Sequence, residues 1–185
     1  MPTKEQTAKL CSSLAENLLY FLVISLPLFF TLPWQQNAFT LPKTLLLIAA
    51  TIVIGALVIT QKILMQEKFL FSTNLKWPVL RLASLATLTT IFSPIRTLSF
   101  FCEYWIGEGL LTYLCYFGLF FLGTQLLNTE QKLWKTIYLA YLTGILMTFF
   151  GLFEMWYLTP EGYLNLAQPG MTSTTGFKNY TAAYL

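Results

Sequence analysis

Five long apolar runs divide this chain, at Asn17 to Thr31, Leu45 to Thr60, Trp77 to Phe92, Gly109 to Leu127 and Thr136 to Tyr157. A helix needs about 20 predominantly apolar residues to cross the roughly 30 Å hydrocarbon layer, where lipid offers the backbone no hydrogen bonds. The five runs approach or meet that length, and a sixth begins near Tyr180 with TAAYL. Composition agrees with a hydrocarbon environment. The chain is 56% hydrophobic and 10% charged, against roughly 25% charged in a soluble globular domain. A folded body of 185 residues leaves much of its surface outside the core, so the excess Leu, Phe and Ile must face something other than water. The expected architecture is all-α: a polytopic transmembrane helical bundle of about five complete spans plus the start of a sixth, forming one domain over residues 1–185.

The aromatic and basic residues fit the same frame. Tryptophan favours the headgroup layer, where its ring lies among apolar groups and its N–H reaches water. Trp34 follows the first run, Trp77, Trp105 and Trp134 precede the third, fourth and fifth, and Trp156 closes the fifth. Lys and Arg are retained on the cytoplasmic side of short loops. Lys4, Lys9, Lys62, Lys68, Lys76, Arg81, Lys132 and Lys135 fall on one side of a five-span arrangement; Lys43, Arg96 and Lys178 fall on the other. The N-terminus is therefore expected to be cytoplasmic. Arg81 intrudes on the third run, and if that run did not cross, the later loops would change sides with the same eight-to-three division. The first run has no small-x-small cleavage site after it, so it is expected to remain as a span.

Helices in lipid pack through small residues, because apolar side chains gain nothing by leaving one hydrocarbon for another. Thr51 with Gly55, Ala83 with Thr87, and Ala140 with Gly144 are each four apart and share a helical face, so they are candidate packing sites.

Several functions are excluded or unsupported. The chain contains no His and no Asp, which removes the usual imidazole base and the common metal-ligand sets. Cys11, Cys102 and Cys115 lack disulfide or zinc spacing. The net charge of +3 is spread thinly, with no basic-aromatic stretch that would track a nucleic acid. No phosphate-cradling glycine loop or Ser/His/Asp set occurs. Glu103 and Glu108 are five apart and diverge on a helix, so they read as solvated loop residues. Glu154 interrupts TFFGLFEMWYL near the end of the fifth run; it either reaches interfacial water or lines a polar cavity. Arg96, after Ser93 and Pro94, is placed to contact a headgroup or to grip a phosphate bidentately.

The order of segments resembles the N-terminal half of the bacterial O-antigen ligase and polymerase family. The resemblance is carried by PLFF closing the first run, FTLPK (Phe39 to Lys43) opening the second, IFSPIRTLSF (Ile91 to Phe100) after the third, EGLLTYLCYFGLFF (Glu108 to Phe121), and TSTTGFKNYTAAYL (Thr172 to Leu185). The family's glycine and arginine ahead of the fourth span are replaced here by Cys102 and Ile106. Its glycine-asparagine-proline-asparagine segment reads Gly176, Phe177, Lys178, Asn179.

The resemblance implies a glycosyltransferase that moves a glycan from an undecaprenyl diphosphate carrier to a sugar or lipid acceptor. The reaction would occur at the outer face of the bacterial cytoplasmic membrane, without a metal or other cofactor. Arg96, Glu154, Lys178 and Asn179 are the substrate-binding candidates, and no catalytic residue is carried over, because the family's essential arginines and histidine lie in a large outer loop of its second half. The chain is expected to be the N-terminal part of a longer protein and inactive alone. Half of a polytopic transporter and a small non-enzymatic membrane subunit are the alternatives.

Overall fold

The computed structural model describes residues 4–29, 40–66, 76–101 and 109–153. These form six helices: α1 (Lys4–Leu28), α2 (Thr40–Met65), α3 (Lys76–Ile91), α4 (Arg96–Phe101), α5 (Leu110–Leu126) and α6 (Glu130–Phe153). No strand occurs among the described residues. Three helices, α1, α2 and α6, are long and apolar enough to cross a membrane, and α5 is a shorter apolar helix. The expectation of five complete spans is thus met by three helices of full length; α3 and α5 fall short of it. The sixth apolar start near Tyr180 lies outside the described residues.

The helix ends have identifiable causes. α1 begins at Lys4, well ahead of the expected Asn17, and Glu5 and Lys9 form an exposed ion pair of 2.8 Å one turn apart within this extension. Pro42 stands in the first turn of α2, where a missing N–H costs nothing. That helix stops at Gln66, whose left-handed backbone (φ 54°) ends it as a glycine more often does. Pro94 breaks the helical path after α3, because its ring disfavours helical geometry at Ser93. The short α4 then follows, an element not foreseen in the apolar pattern.

Hydroxyls in lipid-facing helices must find partners, and several here do so within their own helix, the buried Ser25 Oγ of α1 excepted. Thr51, Ser84, Thr87, Thr143 and Thr148 each donate to the carbonyl four residues earlier, at 2.7 to 2.9 Å. A hydroxyl bonded this way brings no unsatisfied polar group into hydrocarbon.

Two clusters form the core. Ala15 and Leu19 of α1, Ile54 and Val58 of α2, and Leu126 of α5 form one. Leu22, Leu47 and Cys115 of the same three helices form the other. The clusters fix directions: numbering rises from the second cluster to the first along α2 and α5, and falls along α1. α2 and α5 therefore run together, antiparallel to α1. α6 packs mainly on α1 and runs parallel to it, since Lys132 meets Glu16 and Lys135 meets Tyr20. The segment between α2 and α5 must return the chain from one end of the bundle to the other, and α3, about 24 Å long, is the long helix described on that path.

The Thr51 and Gly55 pair lies on a helix contact, as its spacing suggests. A Cβ placed on Gly118 would lie 3.5 Å from Thr51 Cγ2, and one on Gly55 would lie 3.9 Å from Leu122 Cδ1. Thr51 and Gly55 thus meet Gly118 and Leu122, a small-residue crossing of α2 and α5. Outside the core the helices present large apolar side chains, with Phe92 82%, Ile63 68% and Phe149 67% exposed. In water such a surface would drive association; in lipid it is solvated.

Candidate functional site

The two ends of the bundle differ in chemistry. At the end where α1 and α6 begin, Glu16 and Lys132 form an ion pair of 2.6 Å, with the side chains 19% and 31% exposed. Tyr20, one turn beyond Glu16, donates its hydroxyl to Glu16 Oε1 at 2.8 Å. Lys135 places its Nζ 4.2 Å from the centre of the Tyr20 ring, a cation–π arrangement. Lys132 also donates to the carbonyl of Leu126 at 3.5 Å, where α5 has run out of intrahelical donors and the helix dipole favours a cation. Four side chains thus join α1, α5 and α6. Trp77, in the first turn of α3, and Trp134, in the second turn of α6, are 63% and 61% exposed. Trp34, Trp105 and Trp156 lie outside the described residues.

At the opposite end, Lys43 reaches back from α2 and donates to the Pro27 carbonyl of α1 at 3.3 Å. This is a second lysine at a helix C-terminus. The α3 to α4 corner is organised by Ser93, whose Oγ accepts from the Ile95 N–H at 3.4 Å and from the Ser99 hydroxyl at 2.6 Å. Arg96 opens α4 and is exposed. It lies beyond the end of α3 opposite Lys76 and Arg81.

Of the four substrate-binding candidates, Arg96 is the one among the described residues; Glu154, Lys178 and Asn179 lie outside them, as do Glu103 and Glu108. No group of three or more His, Cys, Asp or Glu side chains that could hold a metal ion occurs among the described residues. Comparison with protein-family models, with curated proteins and with solved structures returns no match.

The cluster around Glu16 was not legible in the apolar pattern, which places this residue just outside the first run. A signal existed nonetheless. Ala8, Cys11, Ala15, Leu19 and Leu22 recur at helical spacing through the polar N-terminal stretch, so Glu16 stands inside a helix. An acidic residue there, directly before an apolar run, calls for a basic partner.

Proposed function

We propose that the chain is the N-terminal membrane portion of an O-antigen ligase- or polymerase-like glycosyltransferase. Its work would be to move a glycan from undecaprenyl diphosphate to a sugar or lipid acceptor at the outer face of the bacterial cytoplasmic membrane. The observation that carries this reading is the order of FTLPK, IFSPIRTLSF and EGLLTYLCYFGLFF along successive apolar helices, with an exposed arginine at the corner between α3 and α4.

In this reading the chain crosses the membrane five times from a cytoplasmic N-terminus, through α1, α2, α3, α5 and α6. The antiparallel course of α5 and the parallel course of α6, both relative to α1, support an odd number of crossings between the N-terminus and the end of α6. α3 is short for a span, but Arg81 lies in its second turn, where a long side chain snorkels to the headgroups. The lysines of α1 and α6 then share the cytoplasmic side, and Arg96 faces the outside.

Arg96 is the group suited to the carrier. Departure of a diphosphate builds negative charge, and a fixed guanidinium bound bidentately to its oxygens stabilises that charge. Glu154, Lys178 and Asn179 complete the proposed contacts to carrier and glycan. Deleting the gene in its host and extracting the envelope glycans tests the reading. Undecaprenyl diphosphate-linked glycan should accumulate while the acceptor-linked polymer is lost. Unchanged lipid-linked and acceptor-linked glycans, with altered uptake or efflux of a solute, would replace a transferase with a transporter.

A further inference from the structure

We propose that Glu16 is the clamp residue that holds α6 to the rest of the bundle. Its carboxylate captures Lys132 directly and, through Tyr20, seats Lys135. The inference rests on the helical bundle and holds whatever substrate the protein handles.

Three observations lead to it. First, α6 makes its substantial packing against α1 alone among the described helices, and among its described residues buries Thr143, Met147 and Gly151. A helix with so little apolar contact has weak purchase in lipid, where burying apolar surface against a neighbour gains little over burying it in acyl chains. Second, the polar contacts between α1 and α6 gather at one end. They comprise a 2.6 Å ion pair, and a lysine 4.2 Å from the centre of an aromatic ring whose hydroxyl bonds the same carboxylate at 2.8 Å. Third, Lys132 reaches the Leu126 carbonyl, so one ammonium ties α6 to α1 and to the end of α5.

The electrostatics favour a firm clamp over a loose surface pair. Both charges are more than two-thirds shielded from solvent, so their attraction is screened less than that of the exposed Glu5 and Lys9 pair, 67% and 75% exposed. Removing either partner leaves a partly buried charge without its counter-ion, and that penalty exceeds the value of the pair itself. Lys132 and Lys135, which count as ordinary inward-facing basic residues in the charge pattern, thereby acquire a structural role.

The test is a charge exchange read by distance. Spin labels on Leu10→Cys in α1 and Leu133→Cys in α6, both exposed positions, are introduced after Cys11, Cys102 and Cys115 are replaced by serine or alanine. In lipid vesicles the parent should give one narrow interspin distance. Glu16→Lys alone and Lys132→Glu alone should each shift the ratio of displaced to clamped α6 by about tenfold. The combined exchange, which restores the ion pair but not the Tyr20 hydrogen bond or the Leu126 contact, should return part of the narrow population. Glu5→Lys, which breaks the exposed pair, should leave the distribution as in the parent. An unchanged distribution in the single variants overturns the proposal, as does a combined exchange that is no closer to the parent than either single variant. If the single variants do not accumulate, recovery of both yield and the narrow distance in the combined exchange supports the clamp, and absence of recovery overturns it.

Discussion

Gly118 of α5 faces Thr51 of α2, and its surroundings set what it tolerates. A methyl group there would meet Thr51 at an ordinary van der Waals distance of 3.5 Å, so Gly118→Ala should fold normally. Gly118→Leu must push α2 and α5 apart and should cost about 1–3 kcal/mol in unfolding measured in detergent micelles. Gly123 has open space around its Cβ position, and Gly123→Ala should be neutral or mildly stabilising in the same assay. Ile54, fully buried between the helices, separates lipid from water as the reference solvent. Ile→Ala in a water-soluble core costs about 2–5 kcal/mol, part of it transfer out of water. In lipid that part largely cancels and the loss of packing contacts remains, so Ile54→Ala should cost about 1–2 kcal/mol. Ile52→Ala, 64% exposed in the same helix, should change nothing measurable.

Helix by helix, the apolar runs marked the elements well where charge was sparse. α3 and α5 follow their runs to within a residue at each end, whereas α2 extends five residues beyond its run at both ends and α6 begins six residues before its own. The first helix begins well before its apolar run, because a span criterion ignores amphipathic extensions: Lys4 to Glu16 carries three charged residues after Lys4, yet buries Ala8 and Ala15 on one face. The short α4 follows a proline that ends one helix without preventing another. The spacing around Glu16 shows that it stands in a helix and needs a basic partner, but that the partner is Lys132, on an element distant in sequence, has no local signature. α3 is the element whose crossing depends on the balance between apolar length and one arginine. Leu88→Arg, in its second half, should add about 2.5–3.5 kcal/mol to insertion, and Arg81→Leu should ease it. A reporter fused after residue 97 reads both, with the Leu88→Arg fusion expected to lose its outward-facing signal and the Arg81→Leu fusion to keep it.

At the scale of the molecule, the fold is a bundle whose interior is thin and whose exterior is apolar. α1 and α2 form its spine, α5 fills the groove beside them, and α6 is attached along α1. An exterior of this kind suits a hydrocarbon surrounding better than water. Its lysines cap helix carbonyls at both ends, Lys43 on Pro27 and Lys132 on Leu126, so each end of the bundle carries a cation over a helix C-terminus. The proposed site depends on this arrangement, since Arg96 can meet an outer-face diphosphate only if α3 carries it across. Impermeant thiol labelling tests that dependence directly. Single cysteines are placed at the exposed positions Lys4, Gln66, Thr97 and Asn128, with the natural cysteines removed. In intact cells Thr97→Cys alone should label, and in inside-out vesicles Lys4→Cys, Gln66→Cys and Asn128→Cys should label while Thr97→Cys stays protected. Labelling of all four from one side would contradict the crossing of α3 and the membrane-spanning bundle built on it.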